Sequence, residues 1–519
     1  MNILVVSSYE LGHQSQAAAE LLSSVSRVDN RVASLDISLT DHLDRQISQA
    51  IRSLSPQGIE KSEGATEIED VFVLADVIAY SVPMLTAASM TRQLIERAKS
   101  ANRSSKICVF GLYASVLAQE PELGIDAFFA GEFHQPVAQW LISGAPRLEA
   151  VSLTTAIAKN RQSLAPDRST FLPPTYYPPI EVKGASRTIG YTEATRGCRH
   201  SCLHCPVPAV YHGRIRVNEE SDVLTDITHL IESGAQHITF GDPDFLNAPA
   251  HSKKIVDSLH SHFGTGSNYE RLTGSSVTFD ATIKIEHILN HQDLIEEFAH
   301  KGCVMITSAV ESLNDNVLSK LAKGHTKDEV IMATEFLHSL GVTMHPSFLP
   351  FNPWTESRDL AEILDFCLEF GLEDVVEPVQ FGIRLLIPPG SLLLEIEDPN
   401  LSVKAYDSGQ MGYLWNHVDP SIDELAKLVA KSAELATVYK LPNVEALHDI
   451  RQLAYQFIGE DPAEIEPRSR LALHTKLTEP WFCCAEPRSD QLVSIKGPLR
   501  SKNQPSRGSI EPISDCPTR

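Results

Sequence analysis

Short apolar runs and segments of helical periodicity alternate along the first 142 residues of the chain. The runs rich in β-branched and apolar residues predict strands at 3–7, within 71–80, at 106–111 and at 125–130, and a helix at 88–99. Such alternation is typical of a parallel sheet with right-handed crossovers, which binds ligands beyond the carboxyl ends of its strands. The segments predicted at that edge are 9–13, 81–84, 111–115 and 131–134.

A second alternating pattern follows a proline-rich linker at 143–188. Residues 189–395 contain six strand candidates separated by helical segments, which predicts a barrel of six units, fewer than the eight of a complete barrel. The sequence Thr326-Lys-Asp-Glu329 has the pattern of a capping box that opens one of these helices, and Gly341 ends it. The six strand candidates are 189–195, 237–241, 276–283, 304–310, 342–348 and 379–386.

The remainder of the chain has a different character. Residues 396–487 are predicted to be mostly helical, most clearly at 422–436. Residues 488–519 are rich in Ser, Pro, Gly and basic side chains, and we expect them to be disordered.

Composition narrows the class of protein. Of 519 residues, 42% are hydrophobic and 21% are charged, so the chain can bury several domain-sized cores. The 44 basic and 67 acidic side chains give a net charge of −23, which argues against a protein that wraps nucleic acid. No apolar run approaches the ~18 residues of a membrane span, and the first residues lack the basic segment of a signal peptide. We therefore expect a cytoplasmic protein without nucleic-acid or membrane partners, and the uneven spread of the nine cysteines agrees with a reducing compartment.

The strongest chemical signal is a group of three thiols directly after the first strand of the second pattern. Cys198, Cys202 and Cys205 fall within eight residues, which is too many soft ligands for packing alone. Three thiolates can hold a [4Fe–4S] cluster whose fourth iron stays open. Alternatively, a histidine at 200, 204 or 212 can complete a tetrahedral zinc site. Structural zinc usually uses two separated ligand pairs, and no second pair follows at that distance, so the spacing favours the cluster.

The spacing Cys198-x3-Cys202-x2-Cys205 resembles the signature of the radical S-adenosylmethionine (SAM) superfamily, found after the first strand of a partial (β/α)6 barrel. The resemblance implies that these cysteines bind a [4Fe–4S] cluster and that SAM chelates the open iron. It also implies an electron donor such as flavodoxin or ferredoxin. One electron would then cleave a C–S bond of SAM and release a carbon radical.

Two further segments resemble SAM-binding motifs of this superfamily. Residues 237–245 are similar to the second-strand motif that contacts the SAM amino group, and residues 308–312 to the fourth-strand motif near the ribose. Turns, helix caps and surface ion pairs use the same residue types, which is the alternative interpretation. The resemblance implies that four residues position SAM, namely Asp242, Asp244, Glu311 and Ser312.

The first 142 residues resemble the Rossmann-like, cobalamin-binding domain that precedes many radical SAM barrels. The resemblance rests on 111–115 and 124–132, where a glycine-rich turn and Gly131-Glu132 would line the ligand edge. The Asp-x-His-x-x-Gly motif that supplies an axial cobalt ligand is absent, and the segment around His13 does not match it. Cobalamin binding therefore stays open. The expected fold is α/β: a Rossmann-like domain, a partial (β/α)6 radical SAM barrel and a helical C-terminal extension.

Two adjacent cysteines, Cys483 and Cys484, stand near the end of the predicted helical region. Adjacent cysteines do not easily form a relaxed disulfide with each other, because the backbone geometry opposes it. The pair is either packed in a docked tail or faces a substrate. The block 483–487 resembles the tail of the CUAEP/CCAEP radical SAM proteins, some of which carry selenocysteine at the first position. Selenium keeps a soft nucleophilic atom and little else, which implies chemistry at Cys483.

Domain order and tail also resemble those of radical SAM enzymes of arsinothricin biosynthesis, which join the 3-amino-3-carboxypropyl group of SAM to arsenite. We therefore predict a radical SAM enzyme whose Cys483 and Cys484 hold a thiophilic small molecule, arsenite above all, for C–As bond formation that gives hydroxyarsinothricin. The alternatives are a cobalamin-dependent radical SAM methyltransferase and, in another class, a zinc-bound interaction module. An RNA methylthiotransferase would need a second three-cysteine cluster and a basic appendage, for which we find no pattern.

Overall fold

The computed structural model describes residues 1–26, 30–55, 67–154 and 165–479. The strands are β1 (Asn2–Ser7), β2 (Arg31–Asp36), β3 (Val77–Ser81), β4 (Lys106–Phe110), β5 (Ala127–Gly131), β6 (Ser152–Thr154), β7 (Ile180–Val182), β8 (Ala185–Arg187), β9 (Ile189–Thr192), β10 (Thr195–Gly197), β11 (Ile215–Val217), β12 (His237–Phe240), β13 (Thr278–Thr282), β14 (Cys303–Glu311), β15 (Thr343–Phe348), β16 (Val403–Asp407), β17 (Gly412–Trp415) and β18 (Lys476–Leu477).

The α-helices lie between these strands and after them. They are α1 (Gln16–Val25), α2 (Leu43–Leu54), α3 (Ile68–Leu74), α4 (Leu85–Ala101), α5 (Ala114–Leu117), α6 (His134–Ile142), α7 (Pro206–Tyr211), α8 (Glu220–Glu232), α9 (Pro249–Phe263), α10 (Asn268–Thr273), α11 (Ile285–Asn290), α12 (Gln292–His300), α13 (Asp315–Lys320), α14 (Lys327–Ser339), α15 (Asp359–Glu369), α16 (Pro420–Tyr439) and α17 (Asn443–Ile458). Within the described residues, every helix is too short or too polar to span a lipid bilayer.

The N-terminal sheet is parallel and six-stranded, in the order β2-β1-β3-β4-β5-β6. Alternate residues of its strands enter different cores: Leu4 and Val6 pack with α2, α3 and α4, whereas Ile3 and Val5 pack with α1 and α6. Burial on both faces explains why these strands have continuous apolar sequences. All four predicted strands are confirmed, and β6 extends the sheet beyond the predicted boundary at residue 142.

The second sheet is parallel and has the order β15-β14-β13-β12-β9. The first five strand predictions of this region are confirmed, as is the capping box at the start of α14, where Thr326 and Glu329 exchange their bonds. The predicted strand at 379–386 is wrong: Pro378–Gly382 is a 3-10 helix, and Arg384 forms an isolated parallel bridge with Phe351. This apolar run is buried against α16, so closely that a Cβ on Gly382 would lie 2.7 Å from Ala430 Cα.

The helical region packs on the outside of the second sheet, because side chains of α16 and α17 share the core of the barrel helices. After α17 the chain forms one more short strand, β18. This strand pairs antiparallel with β7, which lies in the predicted linker 143–188, and Leu477 is the partner of Ile180. This pairing brings the end of the described chain between the two sheets. The region predicted to be disordered, 488–519, lies outside the described residues.

Candidate active site

The loop with the three cysteines begins at β10 and ends at α7. At its start, Gly197 has φ +82°, and a Cβ there would lie 2.4 Å from the Arg214 carbonyl oxygen, so only glycine fits this turn. Cys198 and Cys202 are buried and Cys205 is half-buried; none of them is in a disulfide. The local sequence thus turns the chain sharply after β10 and presents three free thiols at the carboxyl end of the barrel sheet.

Burial disfavours the thiolate forms of Cys198 and Cys205. The pKa of Cys205 is raised to about 12, chiefly by burial and in part by the neighbouring Cys202 and Cys198, although Lys323 acts to lower it. Burial also raises the pKa of Cys198. Thiolates are the form that binds metal, so three buried cysteines of this kind become stable as thiolates when a metal centre supplies the positive charge.

Their spacing argues against a single zinc ion. Among the described residues, only His200, Asp244 and His287 form a group of three or more potential ligands whose atoms all lie within 4.8 Å of one another; the cysteines do not. Three thiolates on one zinc, at Zn–S distances of about 2.3 Å, would bring their sulfurs within about 3.8 Å. The three thiols therefore fit a larger metal–sulfur centre better than one zinc ion.

One side of the cysteine loop is fixed by the end of β14. Glu311 has φ +67°, and its Oε1 lies 3.1 Å from His204 Nε2 and 3.3 Å from Lys323 Nζ. Burial alone would raise the pKa of Glu311, but Lys323 and His204 hold it at about 2. The loop backbone is also tied here, since Leu203 N–H donates to Leu321 O at 3.0 Å. Glu311 is therefore an ionised carboxylate that anchors a histidine of the loop.

Asp244, which follows β12, lies beside the other histidine of the loop. Its Oδ2 is 3.3 Å from His200 Nε2 and 2.7 Å from His287 Nδ1. Burial would raise the pKa of Asp244, but the two histidines lower it to about 2. Nearby, Asn247 Oδ1 accepts from Arg199 N–H at 3.2 Å and lies 3.9 Å from Cys198 Sγ. The loop is thus held by the ends of β12 and β14 together.

The other two predicted SAM residues are engaged by the protein itself. Asp242 accepts hydrogen bonds from Ala194 N–H and Thr195 N–H, at 2.9 and 2.5 Å, and from the Thr195 hydroxyl. Ser312 Oγ accepts from Asn314 N–H at 3.1 Å. Asp242 therefore fixes the start of β10, and Ser312 fixes the turn after β14. A contact of any of the four residues with SAM stays a prediction.

A buried ion cluster joins the N-terminal domain to the strands that carry the cysteine loop. Arg196 Nη2 lies 2.9 Å from Glu20 and 2.7 Å from Glu193, and Arg216 lies 3.1 Å from Glu132. Burial would raise the pKa of Glu20, but the two arginines lower it to about 2. The cluster was not predicted from the sequence, because its members lie in or next to β5, α1, β10 and β11 and no local pattern relates them.

Between the two sheets lies a cavity of about 370 Å³, within the range of small-molecule sites. All four segments predicted at the carboxyl edge of the N-terminal sheet contribute to its wall, and segment 111–115 does so through Gly111 and Leu112. The barrel contributes Thr239, Asp280 and His345 from its strands. His13 and Tyr191 also line the cavity, and their rings stack on each other with centroids 3.7 Å apart.

The C-terminal segment reaches the same cavity. Leu477 and Glu479 line it, and Glu479 Oε1 accepts a hydrogen bond from the Tyr9 hydroxyl at 3.0 Å. Cys483 and Cys484, the predicted substrate-holding thiols, lie outside the described residues.

Residues 192–367 match the family model of the radical SAM superfamily. With its cysteine loop at the carboxyl end of a parallel barrel sheet, this part of the chain is a radical SAM domain. The superfamily uses a [4Fe–4S] cluster and SAM, as expected from the cysteine spacing.

Two curated relatives are methylthiotransferases by name. One, from Methanocaldococcus jannaschii, is 23% identical over 314 residues, or 59% of this chain and 67% of that protein. The other, the ribosomal protein uS12 methylthiotransferase of Rhodopseudomonas palustris, is 19% identical over 221 residues, or 41% of this chain and 50% of that protein. The chain thus matches half the length of the second relative.

Two solved structures share the fold. The cobalamin-dependent SAM radical enzyme OxsB has a TM-score of 0.58 at 14% identity, over 84% of this chain and 67% of that chain. The radical SAM methyltransferase TsrM from Kitasatospora setae has a TM-score of 0.54 at 14% identity, over 76% of this chain and 74% of that chain. These likenesses confirm the predicted fold, a Rossmann-like domain and a radical SAM barrel with helical regions.

Proposed function

We propose that this radical SAM enzyme transfers the 3-amino-3-carboxypropyl group of SAM to a thiophilic acceptor held by Cys483 and Cys484, most specifically arsenite. The observation that carries the proposal is the path of the C-terminal segment. Leu477 and Glu479 line the cavity between the domains, and the two cysteines follow four and five residues after Glu479. In this proposal, the acceptor thiols therefore follow closely in sequence on a segment that lines the cavity.

The tether is short and anchored. An extended chain spans at most about 3.6 Å per residue, so four residues of chain beyond Glu479 can reach at most about 14 Å. The pairing of β18 with β7 and the bond from Tyr9 to Glu479 fix the start of this tether. Two soft thiolates favour a soft acceptor such as trivalent arsenic over a hard one. The tail resemblance adds the arsenic assignment, which no spacing in the chain demands.

Cys198, Cys202 and Cys205 would hold the cluster in this proposal. A [4Fe–4S] cluster with one open iron supplies a binding position for SAM and one electron for cleavage of its sulfonium. The protein contributes the loop geometry, the anchors at Asp244 and Glu311, and a buried cation, because Lys323 favours the thiolate form of Cys205. The surface of the cavity is mostly apolar.

The proposed reaction balances without an added oxidant. SAM and arsenous acid would give methylthioadenosine, the arsonic amino acid hydroxyarsinothricin and one proton. A C–S bond of the sulfonium breaks and a C–As bond forms, while arsenic is oxidised from As(III) to As(V) and the sulfonium is reduced to a thioether. The electron that begins the cleavage is recovered when As(V) forms, so an electron donor such as flavodoxin or ferredoxin is needed only to start the reaction.

A second candidate is cobalamin-dependent methyl transfer, which is favoured by the fold shared with OxsB and TsrM. The edge of the N-terminal sheet offers bare backbone at Gly111 and Gly131, with φ of +112° and +79°. The segment around His13 lacks the Asp-x-His-x-x-Gly motif that supplies an axial cobalt ligand, so this candidate would bind cobalamin without a histidine from that motif. The favoured proposal routes no step through cobalamin.

Product analysis separates the candidates. Reduced, reconstituted enzyme is incubated anaerobically with SAM and arsenite, and the products are identified by mass spectrometry. Methylthioadenosine together with an arsenical amino acid supports the proposal, whereas 5′-deoxyadenosine with unchanged arsenite contradicts it. A methylated product that appears only with added cobalamin supports the second candidate.

The role of the tail has a matched control. Cys483→Ser and Cys484→Ser should keep wild-type iron content and lose most of the arsenical product. Cys516→Ser changes a thiol that lies outside the two-cysteine motif, and this variant should keep both the iron content and the arsenical product of the wild type. Wild-type product from both motif variants would contradict the proposed role of the tail.

A further inference from the structure

Three side chains that are not cysteines converge beside the cysteine loop. His200 lies in the loop itself, Asp244 follows β12, and His287 lies in α11 after β13. One nitrogen of each histidine and one carboxylate oxygen lie within 4.8 Å of one another. Strands β12 and β13 are neighbours in a parallel sheet, so the segments that follow them meet at the same edge.

The atoms that face one another have polar partners only within their own group. His200 Nε2, Asp244 Oδ2 and His287 Nδ1 are buried from solvent, and Asp244 Oδ2 lies 3.3 Å from His200 Nε2 and 2.7 Å from His287 Nδ1. The Asp244 side chain is only 1% exposed. Its other oxygen, Oδ1, accepts from Leu246 N–H at 3.3 Å, which orients the carboxylate so that Oδ2 faces the two rings. Two imidazole nitrogens and a carboxylate oxygen that converge on one buried point have the arrangement of ligands around a single metal ion.

We propose that His200, Asp244 and His287 bind one divalent ion of the first transition row, at a site separate from the three cysteines. Two imidazoles and one carboxylate are the donor set of mononuclear iron(II) sites, and a similar set binds catalytic zinc. Three protein ligands leave coordination positions for water or for an oxygen ligand from a substrate. Because His200 stands between Cys198 and Cys202, the ion also fixes the cysteine loop to the ends of β12 and β13.

A nearby lysine competes with the ion. Lys284 Nζ lies 3.1 Å from His200 Nδ1 and 3.6 Å from Glu286. A lysine ammonium that donates to Nδ1 keeps the ring proton on Nε2, which is the nitrogen that faces Asp244. Metal binding through Nε2 therefore requires the ring proton on Nδ1 and the lysine turned toward Glu286. Lys284→Gln removes the competition, because an amide oxygen can accept from Nδ1–H.

The test uses full-length enzyme with its cluster reconstituted and oxidised. Mn²⁺ is added anaerobically, and free Mn²⁺ is measured by electron paramagnetic resonance. Mn²⁺ is chosen because it prefers oxygen and nitrogen ligands to thiolates, so the cysteines of the tail do not compete. We expect about one ion per chain, affinity lowered at least about tenfold in His287→Ala, and higher affinity in Lys284→Gln.

The matched control is His291→Ala, since this ring lies 5.8 Å from that of His287 and is not one of the three ligands. It should bind Mn²⁺ as the wild type does, and all variants should keep wild-type iron per chain. Absence of stoichiometric Mn²⁺ binding, or wild-type affinity in His287→Ala, would overturn the proposal. So would a His287→Ala enzyme that binds Mn²⁺ normally but has lost SAM affinity, because the three residues would then belong to the SAM site. None of these results bears on the arsenical product assay.

Discussion

Substitution of Glu20 tests whether the N-terminal domain holds the cysteine loop in place. The Glu20 side chain is 6% exposed and lies 2.9 Å from Arg196, 3.7 Å from Arg216 and 2.8 Å from His134. Glu20→Gln keeps the shape and removes the charge, which leaves two buried arginines with fewer partners. Breaking a buried ion pair by removing one partner costs about 3–5 kcal/mol, and we expect the lower end because Glu193 and Glu132 remain.

The pH dependence of this effect has a definite sign. The pKa of Glu20 falls from 4.5 to about 2 in the folded protein, through Arg196 and Arg216 and against the effect of burial. A carboxylate with a depressed folded pKa stabilises the fold above its unfolded pKa, and this stabilisation is lost as the pH falls toward the folded value. The difference in stability between the wild type and Glu20→Gln should therefore be full at pH 7 and decrease between about pH 4.5 and pH 2.

The assay is urea unfolding of both proteins at pH 7 and at lower pH, with anaerobic iron retention measured in parallel. The matched control is Glu424→Gln, whose ion pair with Lys427 is 68% and 67% exposed and should contribute less than about 0.5 kcal/mol. We expect Glu20→Gln to unfold at lower urea and to lose iron faster than the control. A loss of stability below about 1 kcal/mol, or one that does not change with pH, would show that the buried ion cluster around Glu20 does not hold the cysteine loop in place.

Three further predictions concern the loop and the tail. Gly197→Ala should lower iron content after reconstitution, because its Cβ would lie 2.4 Å from the Arg214 carbonyl oxygen at φ +82°; wild-type iron content would contradict this. Glu311→Gln leaves a buried lysine without its carboxylate and should destabilise the protein by about 3 kcal/mol in urea unfolding, and an unchanged midpoint would argue against the anchor. Tyr9→Phe removes the hydrogen bond to Glu479, which should contribute about 1 kcal/mol to the attachment of the C-terminal segment, so limited proteolysis of this segment should become faster. An unchanged cleavage rate would mean that this bond does not hold the C-terminal segment in place.

The two sheets could be predicted because their strands are buried on both faces and therefore have continuous apolar sequences. The same signal failed at 379–386, because a helix can bury an apolar run as well as a sheet can, and α16 does so here. Strand β2 was not predicted, since Arg31, Ser34 and Asp36 interrupt its apolar pattern. An apolar pattern predicts that a segment is buried. Whether that segment forms a strand or a helix depends on which other parts of the chain cover it.

The sequence by itself determined the spacing of the three cysteines, the class of enzyme that this spacing indicates and the α/β character of both domains. These properties are local, because a loop of eight residues is held together by covalent bonds and a strand by its own apolar pattern. Only the tertiary structure decided that His204 meets Glu311, that His200 meets Asp244 and that Leu477 and Glu479 line the cavity between the two sheets. Those partners are far apart in the chain, and they come together because parallel strands deliver their carboxyl ends to one edge.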